Sequence, residues 1–459
     1  MSLSFDSDAS PALHTDLYQL TMLQAYQRED MHAEAVFTLF ARRLRDRNYL
    51  LACGLDTVLS YLEQLSFSAS DCAYLRTLDD FDDDFVEGLA DFEFTGDVYA
   101  VPEGTPIFAN EPILEVVAPI GEAQLVETFL LNQISYQTAY ATKAARVKHA
   151  ATADGTDRLV ADFGMRRMHG VDAPLKAARA GYIAGLDATS NVAAGHTYSI
   201  PVTGTMAHSY VEAHRHEMDA FKAFSELYPD TILLVDTYDT LDGVRRVIEL
   251  AEKRGAEFQV RGIRLDSGDL GALAHDARAL LDEAGLEEVQ ILASGGLDEH
   301  AVADLVQSGA PLDGFGVGTK LGTIADQPYL DTAYKLCAYD GTPRMKLAPN
   351  KKNLVGRKQV FRQTDTNGTM HGDVIAAADE THDGTPLLQC VMRNGSRIDD
   401  APSLETLRTR TQHHLNALPR HLHALVPTDT PYPVSISDAL DKRTEATKDE
   451  LRARHQTST

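Results

Sequence analysis

Cysteine is scarce in this chain: its 459 residues include only Cys53, Cys72, Cys337 and Cys390. No two of them have the spacing of a zinc site, and four are too few for a disulfide framework. We therefore expect free thiols in a reducing compartment, the cytoplasm, and no zinc.

Long apolar runs are also missing. The first ten residues, MSLSFDSDAS, contain neither the basic nor the apolar part of a signal peptide. The longest apolar runs, such as 231–235, are far shorter than the roughly 20 residues that span a bilayer. These absences predict a protein that is not inserted in a membrane.

Positive charge is in deficit. The chain has 42 Lys and Arg against 68 Asp and Glu, which gives a formal net charge of −26. Such an excess repels nucleic-acid phosphates and anionic membranes, so neither is expected as a partner. An anionic substrate would need a local basic pocket.

Part of the acidic excess is concentrated between residues 79 and 84, where five aspartates occur. This run is typical of a solvated loop or the start of a helix. A metal site is the alternative, but nothing in the run fixes a coordination geometry.

The length predicts two domains or three. Changes in pattern divide the chain at 1–140, 141–330 and 331–459. In the first part, 16–26 is typical of a helix and 97–117 of short strands interrupted by prolines. In the last part, 346–362 is basic and strand-like, and the final 20 or so residues favour a polar helix or a frayed tail.

The middle part alternates short apolar runs with helical patterns such as 241–253 and 297–307. The predicted strands are 159–163, 198–202, 231–235, 260–265, 289–293 and 314–317. Alternation of this kind indicates a parallel sheet with helices outside, and the number of units favours a barrel over an open sheet.

Polar residues follow each predicted strand, where a barrel of this kind places its catalytic face. They are Asp162, Gly164 and Arg166; Gly204, Thr205 and His208; Asp236 and Asp239; Asp266, Ser267 and Asp269; Ser294, Gly295 and Gly296; and Gly318 and Thr319. Packing alone does not readily explain so many polar clusters on one face.

Two glycine clusters, 294–296 and 316–319, follow consecutive predicted strands. Glycine lets backbone N–H groups approach an anion closely, and barrels often bind a phosphate at their last two strand ends. These clusters are therefore candidate phosphate-binding turns, with plain tight turns as the alternative.

The segment RGIRLDSGD (261–269) offers a cation and a carboxylate together, because strand alternation puts Arg264 and Asp266 on the same side. Arg264 could clamp a planar carboxylate, and Asp266 could bind a ribose hydroxyl or a magnesium-bound water. The alternative is a structural salt bridge.

His208 follows the Gly204-Thr205 turn beside the predicted phosphate face, which makes it a catalytic candidate. A satisfied structural histidine is the alternative. His214 and His216 are two residues apart and would face different ways on a helix, so they are interpreted as surface residues.

Eight segments together resemble nicotinate phosphoribosyltransferases, in the order and spacing of that family. They are HTDLYQLTM (14–22), DFGMRR (162–167), TSNVAAG (189–195), PVTGTMAHSYV (201–211), VDTYDT (235–240), RLDSGDL (264–270), SGGLDE (294–299) and FGVGTKL (315–321). The resemblance runs from about residue 14 to about residue 362. It departs at Val355-Gly356, where the family often has a proline before the glycine.

The resemblance implies an α/β fold: an irregular TIM-like α/β barrel beside a second α+β domain built from the N- and C-terminal parts of the chain. It implies transfer of the phosphoribosyl group of phosphoribosyl pyrophosphate (PRPP) to nicotinate in NAD biosynthesis. Magnesium would accompany the pyrophosphate. ATP hydrolysis would be coupled through a phosphohistidine, which is His208 here.

The resemblance also assigns substrate contacts. Nicotinate contacts fall on Tyr18, Thr205, Arg264 and Thr319, and Phe163 with Arg166 would stack on the pyridine ring and hold its anion. A homodimer with shared active sites is implied, in which Tyr18 reaches the neighbour's barrel.

The expected chemistry agrees with those roles, because an oxocarbenium-like transition state requires a neutralised leaving group and a positioned nitrogen. Asp236 and Asp266 suit magnesium, its water shell or the ribose. Gly295, Gly296, Gly318 and Thr319 suit the 5′-phosphate.

Three alternative functions have to be compared with this one. Nicotinamide-specific relatives carry an aspartate where this chain has Ser190, so Ser190 favours the acid. Quinolinate phosphoribosyltransferases are shorter chains, and nothing in this sequence suggests the decarboxylation that they perform, so this alternative is disfavoured. A non-catalytic nucleotide-sensing barrel would be expected to lose Arg264 or the glycine clusters, and both are present.

Overall fold

A computed structural model describes residues 10–347 and 353–457, with side chains described as far as residue 454. The chain divides into two compact units. Met1–Ala139 together with Tyr329–Thr459 forms the first, here called the terminal unit, and Tyr140–Pro328 forms the second, called the barrel unit.

The first part of the chain mixes helices and strands. Its elements are α1 (Leu17–Arg28), β1 (Glu34–Ala41), β2 (Leu50–Leu51), α2 (Leu55–Glu63), α3 (Ala69–Leu75), α4 (Asp83–Gly88), β3 (Asp97–Ala100), β4 (Pro106–Ile107), β5 (Pro112–Pro119), α5 (Ile120–Leu125) and α6 (Glu127–Ala151). The predicted helix at 16–26 and the short strands within 97–117 are confirmed. Pro106 and Pro112 each begin a strand, where a missing N–H is tolerated.

The acidic run leads into a helix. Asp82 is the N-cap residue of α4, and Asp83 and Asp84 occupy its first turn, where the helix dipole favours negative charge. The predicted helix start is therefore confirmed. No group of three or more His, Cys, Asp or Glu side chains within the described ranges is arranged to hold a metal ion.

The barrel unit alternates strands and helices. Its elements after α6 are β6 (Leu159–Asp162), α7 (Asp172–Ile183), β7 (Ala188–Thr189), α8 (Val192–Tyr198), α9 (His208–Glu212), α10 (Glu217–Leu227), β8 (Ile232–Leu234), α11 (Thr240–Arg254), β9 (Gly262–Leu265), α12 (Leu270–Glu283), β10 (Gln290–Ser294), α13 (Glu299–Gln307), β11 (Gly314–Val317) and α14 (Thr319–Gly322). The strands pair in parallel in the order β7-β6-β11-β10-β9-β8, and this sheet curls into part of a barrel. The predicted irregular α/β barrel is confirmed.

One predicted strand is wrong. The segment 198–202 does not form a strand; Tyr198 ends α8, and Ser199 adopts a left-handed conformation with φ 57°. Val202 makes a single bridge to Thr189. The strand at this place in the sheet is β7, which is only two residues long and left no pattern to detect.

Several polar residues that follow the strands are helix caps. Asp239, Asp269 and Asp298 each accept a hydrogen bond from the backbone N–H three residues on, at the starts of α11, α12 and α13. Capping satisfies N–H groups that have no partner within the helix. The excess of polar residues at this edge is therefore partly structural.

The last part of the chain returns to the terminal unit. Its elements are β12 (Thr332–Tyr339), β13 (Thr342–Pro343), β14 (Lys358–Thr364), β15 (Met370–Ala377), β16 (Thr385–Pro386), β17 (Gln389–Arg393), β18 (Ser396–Arg397), α15 (Leu404–Ala417), β19 (Val434–Ile436) and α16 (Asp438–Thr457). The predicted polar helix at the end of the chain is α16. The basic stretch 346–362 lies partly outside the described residues, and of the rest only 358–362 is strand, as the first part of β14.

Both chain ends contribute to one sheet of the terminal unit, with strand order β13-β12-β1-β5-β3-β17-β18. The strand β1 pairs antiparallel with β12 on one side and β5 on the other, and seven of its eight residues are buried. A second sheet has the order β16-β14-β15-β19. The predicted α+β domain built from both ends is confirmed.

All four cysteines are free thiols. Within the part of the chain that the structure describes, no helix combines the length and the apolar character needed to cross a membrane.

Candidate active site

The carboxyl ends of β6 to β11 lie at one edge of the parallel sheet, and most of the predicted site residues follow these ends. This edge is where open and closed parallel sheets bind ligands. The contacts among its side chains decide which residues can act together.

Arg264 is a largely buried cation at this edge, with 13% of its side chain exposed. Its Nη1 donates to Asp266 Oδ1 at 2.9 Å and to Ser294 Oγ at 3.1 Å, and its Nη2 donates to the Met206 carbonyl at 2.9 Å. Burial lowers the pKa of Arg264 against the opposing charge of Asp266, yet a guanidinium stays charged at neutral pH. The result is a partly desolvated positive charge.

Strand alternation correctly predicted that Arg264 and Asp266 lie together. The ion pair that the sequence offered as an alternative is present. It does not use the whole guanidinium, because Nε is buried with no partner among the described residues. A structural ion pair and a contact with an anionic ligand are therefore compatible.

Asp236, at the end of β8, holds the loop after β9. Its Oδ2 accepts hydrogen bonds from the Asp266 N–H at 3.1 Å and from the Ser267 hydroxyl at 2.6 Å. Its Oδ1 is buried and has no donor partner in the described part of the chain. A buried carboxylate oxygen without a donor is costly, which indicates a place for a ligand or water.

His208 is the first residue of α9, and 40% of its side chain is exposed. Its Nδ1 lies 3.2 Å from Thr237 Oγ1, and its Nε2 lies 3.9 Å from Asp266 Oδ2. When Nδ1 carries the proton and donates to Thr237, Nε2 presents a lone pair. The ring is thus oriented with one nitrogen able to act as a nucleophile.

Phe163 lies against the last residues of β11. A Cβ added at Gly316 would lie 2.5 Å from two carbons of the Phe163 ring and 3.3 Å from the Ser294 Cβ. Ser294 Oγ also accepts from Arg264, so Gly316 and Ser294 connect the aromatic ring to the guanidinium. An aromatic surface and a cation therefore lie close together at this edge.

Asp162 joins the two segments beside that ring. Its Oδ1 accepts from the Gly164 N–H at 2.8 Å, its Oδ2 accepts from the Thr189 hydroxyl at 3.1 Å, and its carbonyl accepts from the Ser190 N–H. Burial raises the pKa of Asp162 despite these hydrogen bonds. Ser190 is half-buried and Arg166 is exposed, both on segments that Asp162 holds.

The two glycine clusters form tight turns at neighbouring strand ends, because β10 pairs with β11. Gly295 and Gly296 have φ of 88° and 65°, and a Cβ at Gly295 would lie 1.8 Å from the Asp266 carbonyl oxygen. Glycine is therefore required at 295 by both conformation and space. Gly318 precedes Thr319, which is exposed at the start of α14.

Two further predicted nicotinate contacts, Thr205 and Tyr18, differ from each other in burial and belong to different units. Thr205 is half-buried in the barrel unit, where its hydroxyl lies 3.3 Å from the Met206 carbonyl. Tyr18 belongs to α1 of the terminal unit and is 49% exposed. Partial burial, with a contribution from the charge of Glu127, raises the pKa of Tyr18.

Two contributors were missed by the sequence. Thr237 fixes the His208 ring, and it directly follows Asp236 at the end of β8, so the strand-end pattern could have identified it. The Met206 carbonyl binds Arg264, and a backbone acceptor in an irregular loop leaves no signal in the sequence.

Three family models match most of the chain. The family model described as the nicotinate phosphoribosyltransferase N-terminal domain matches residues 13–135, the model described as the nicotinate phosphoribosyltransferase family matches 159–362, and the corresponding C-terminal domain matches 381–444. The matches therefore fall in both compact units.

Individual members of the same family are also similar to this chain. A nicotinate phosphoribosyltransferase of Mycobacterium tuberculosis is 52% identical over 94% of this chain and 92% of its own length. One of Bacillus subtilis is 46% identical over 81% of this chain and 77% of its own. The crystal structure of human nicotinic acid phosphoribosyltransferase superimposes with a TM-score of 0.82 at 29% identity, covering 94% of this chain and 99% of that one.

Proposed function

The chain belongs to the nicotinate phosphoribosyltransferase family of NAD-biosynthesis enzymes, and we propose that it transfers the phosphoribosyl group of PRPP to nicotinate. The products are nicotinate mononucleotide and pyrophosphate. The nucleophile is the pyridine nitrogen, and the bond that breaks joins the sugar carbon to the pyrophosphate oxygen.

One observation carries the proposal: the continuous series of contacts from the Phe163 ring through Gly316 and Ser294 to Arg264. A flat aromatic carboxylate needs an aromatic surface for its ring and a cation for its acid group. The positive charge of Arg166 also contributes to lowering the pKa of Arg264, which supports Arg166 as a second cation for the carboxylate.

The neighbouring strand ends suit the other substrate. The turns at 295–296 and 318–319 offer backbone N–H groups, and the Thr319 hydroxyl is exposed beside them. We assign the 5′-phosphate of PRPP to these turns, and the ribose hydroxyls to the side of Asp266. Holding both substrates in this way supplies the orientation on which a largely dissociative transfer depends.

Magnesium is expected with the pyrophosphate. The buried, unpartnered Oδ1 of Asp236 fits a magnesium-bound water, since magnesium prefers oxygen ligands and keeps several waters. Asp236 and Asp266 would hold this hydrated ion. When bound, magnesium neutralises the charge of the leaving pyrophosphate.

We further propose that ATP phosphorylates His208 on Nε2. In the tautomer in which Nδ1–H donates to Thr237, Nε2 is free of the ring proton, and imidazole is a competent nucleophile near neutral pH. The phosphoryl group would add negative charge beside Asp266, where magnesium is proposed to bind. ATP hydrolysis would thereby be coupled to the occupancy of the pyrophosphate site.

The proposal includes a homodimer in which Tyr18 of one subunit contacts nicotinate in the other. The exposure of Tyr18 on α1 leaves its ring accessible to a second chain. We also propose that the enzyme acts in the cytoplasm, where its four thiols would stay reduced.

The central test is an assay with PRPP and magnesium, supplying either nicotinate or nicotinamide and measuring each mononucleotide. We expect nicotinate to be used strongly in preference to nicotinamide, and ATP to stimulate the reaction. Equal turnover of the two would reject acid specificity, and no product from either would reject the transferase assignment. Omission of PRPP is the matched control.

A further inference from the structure

The barrel unit contains a group of four charges outside the strand-end site, on α6, α13 and the segment after α14. Lys143, Arg146 and Glu299 are buried, and Asp326 is partly exposed. Lys143 is 1% exposed, yet its Nζ lies 2.6 Å from Glu299 Oε2 and 2.6 Å from Asp326 Oδ1. Arg146, one helical turn further along α6, places Nε 3.2 Å from Glu299 Oε1. The four charges are balanced.

The two partners of Lys143 belong to segments that follow different glycine turns. Glu299 is the first residue of α13, three positions after Gly296. Asp326 lies shortly after α14, which begins directly after Gly318. One ammonium group therefore ties together the two backbone segments that leave the proposed phosphate-binding turns.

A second contact links the same two segments directly. Lys320, in α14, places Nζ 2.7 Å from Asp298 Oδ2, while Asp298 Oδ1 caps α13 through the Ala301 N–H. Burial opposes the charged form of Asp298, but the hydrogen bonds from Ala301 and Lys320 outweigh it and lower its pKa. Ionic contacts thus link the two segments at two places.

Stability alone does not account for such a group. Removing charges from water is costly, and buried ion pairs can often be replaced by apolar or neutral residues without loss of stability. Their distinctive property is that they fix geometry: each contact here has one oxygen and one nitrogen at a defined distance, whereas apolar packing would leave the separation of the two segments less determined.

We propose that Lys143 is a positioning residue. Together with Glu299 and Asp298, it sets the separation of the turns at 295–296 and 318–319 for binding the 5′-phosphate of PRPP. This inference rests on the proposed function, because it takes those turns as the phosphate site. Lys143 itself touches no substrate. Its effect is on the binding of the phosphorylated substrate and not on nicotinate.

The test removes the Lys143 ammonium and the Glu299 carboxylate together, using the double variant Lys143→Met/Glu299→Gln. The net charge of the group stays at zero, and the glutamine amide oxygen can still accept a hydrogen bond from Arg146 Nε. We expect a folded protein whose KM for PRPP rises by roughly 10- to 100-fold, the size expected for small misplacements of binding groups. The KM for nicotinate should stay within about twofold, since a positional effect confined to the phosphate turns spares the pyridine contacts.

A matched control lies on the same helix. Lys148 forms a partly buried ion pair with Asp187 at 2.9 Å, and neither residue belongs to the segments that follow the two turns. Lys148→Met/Asp187→Asn should leave the KM for PRPP unchanged. If it raises this KM as much as the first pair does, the effect is a general loosening of α6 and the inference is wrong.

A second variant tests the inference if the first does not fold. Asp298→Asn keeps an N-cap oxygen for α13 but weakens the contact with Lys320, and we expect the same selective rise in the KM for PRPP. An unchanged KM for PRPP in a folded variant, or an equal rise for both substrates, would overturn the inference.

A binding measurement separates this inference from the proposed function. Calorimetric titration with ribose 5-phosphate, which carries the 5′-phosphate that the turns are proposed to bind, should show weaker binding to Lys143→Met/Glu299→Gln than to the wild type. If the wild type binds the probe but transfers nothing to nicotinate, the proposed function fails while the inference stands. If both proteins bind the probe equally, the inference fails even though the enzyme is active.

Discussion

The ring of Phe163 lies over Gly316 so closely that a Cβ at residue 316 would lie 2.5 Å from two ring carbons. The glycine in β11 is therefore what allows the aromatic ring to approach the backbone of this strand so closely. The proposed pyridine site depends on this contact.

Gly316→Ala should displace the Phe163 ring and raise the KM for nicotinate by about 10-fold, because a shifted stacking surface misplaces the reacting nitrogen. Overpacking should also lower the free energy of unfolding by about 1–3 kcal/mol. Steady-state kinetics and thermal unfolding measure the two effects. Gly271→Ala is the control, since its nearest contacts would be at 3.6 Å; equal effects of both changes would contradict the assignment.

The sequence predicted this region well where periodicity and chemistry coincide. Alternation along β9 placed Arg264 beside Asp266, and the apolar run before Asp236 located the end of β8. Both signals are local, because a strand end is marked by the change from buried to polar residues. The parallel sheet followed from the repetition of that change.

The rest depended on contacts between distant segments. The two-residue strand β7 is too short for any periodic pattern, and β-branched residues after Tyr198 gave a false one. Lys143 looks like an ordinary helical lysine, since nothing nearby in sequence marks it as buried against Glu299 and Asp326. Burial of this kind is decided by tertiary packing.

A buried carboxyl pair in the terminal unit predicts a pH effect on stability. Arg362 Nη2 lies 2.6 Å from Asp373 Oδ2 and 4.0 Å from Glu111 Oε2. Burial, then the charge of Asp373, raises the pKa of Glu111 well above its ordinary value. A carboxyl of this kind contributes stability that is fully present below its unfolded pKa and is lost as the pH rises through its folded pKa.

Glu111→Gln removes that titration while keeping the shape of a protonated glutamate. The melting temperature of the variant should exceed that of the wild type at pH values above the unfolded glutamate pKa of about 4.3, and the difference should vanish below that pH. Calorimetry on both sides of that pH is the measurement. Glu87→Gln, at an exposed position, should show no such trend; a pH-independent difference for Glu111→Gln would exclude the explanation.

Ser190 is predicted to set the preference for the acid. Ser190→Asp should weaken nicotinate binding by about 1–3 kcal/mol, because like charges would meet in a partly desolvated site. The ratio of nicotinamide to nicotinate turnover should rise accordingly. Ser190→Asn has the same size without the charge and should weaken binding less; equal losses would show that size, and not charge, decides.

Shared active sites can be tested by complementation. Tyr18→Ala and Arg264→Ala should each inactivate a homodimer, since the proposal needs both residues in every site. In a mixed dimer one of the two sites would carry both residues, so purified mixed dimers should have about half of the wild-type activity. A randomly exchanged mixture should have about a quarter. Exchange confirmed by two affinity tags, with no recovery of activity, would argue against sharing.

His208 is the proposed link between the site and ATP, and its two ring nitrogens have different surroundings. Thr237 is in contact with Nδ1, and Nε2 is directed toward the side of Asp266. A phosphoryl group on Nε2 would therefore lie where magnesium and pyrophosphate are proposed to bind. The nicotinate contacts at Phe163 and the phosphate turns lie on other strands, so basal transfer does not require the imidazole.

His208→Ala should abolish ATP hydrolysis and the stimulation of transfer by ATP, while weak ATP-independent transfer remains. Incubation with γ-labelled ATP should give an acid-labile, base-stable label on the wild type only. Thr237→Val should reduce labelling without abolishing it, because the ring loses its orientation but keeps its nucleophile. A label that persists in His208→Ala, or wild-type activity indifferent to ATP, would reject the phosphohistidine while leaving the transferase assignment intact.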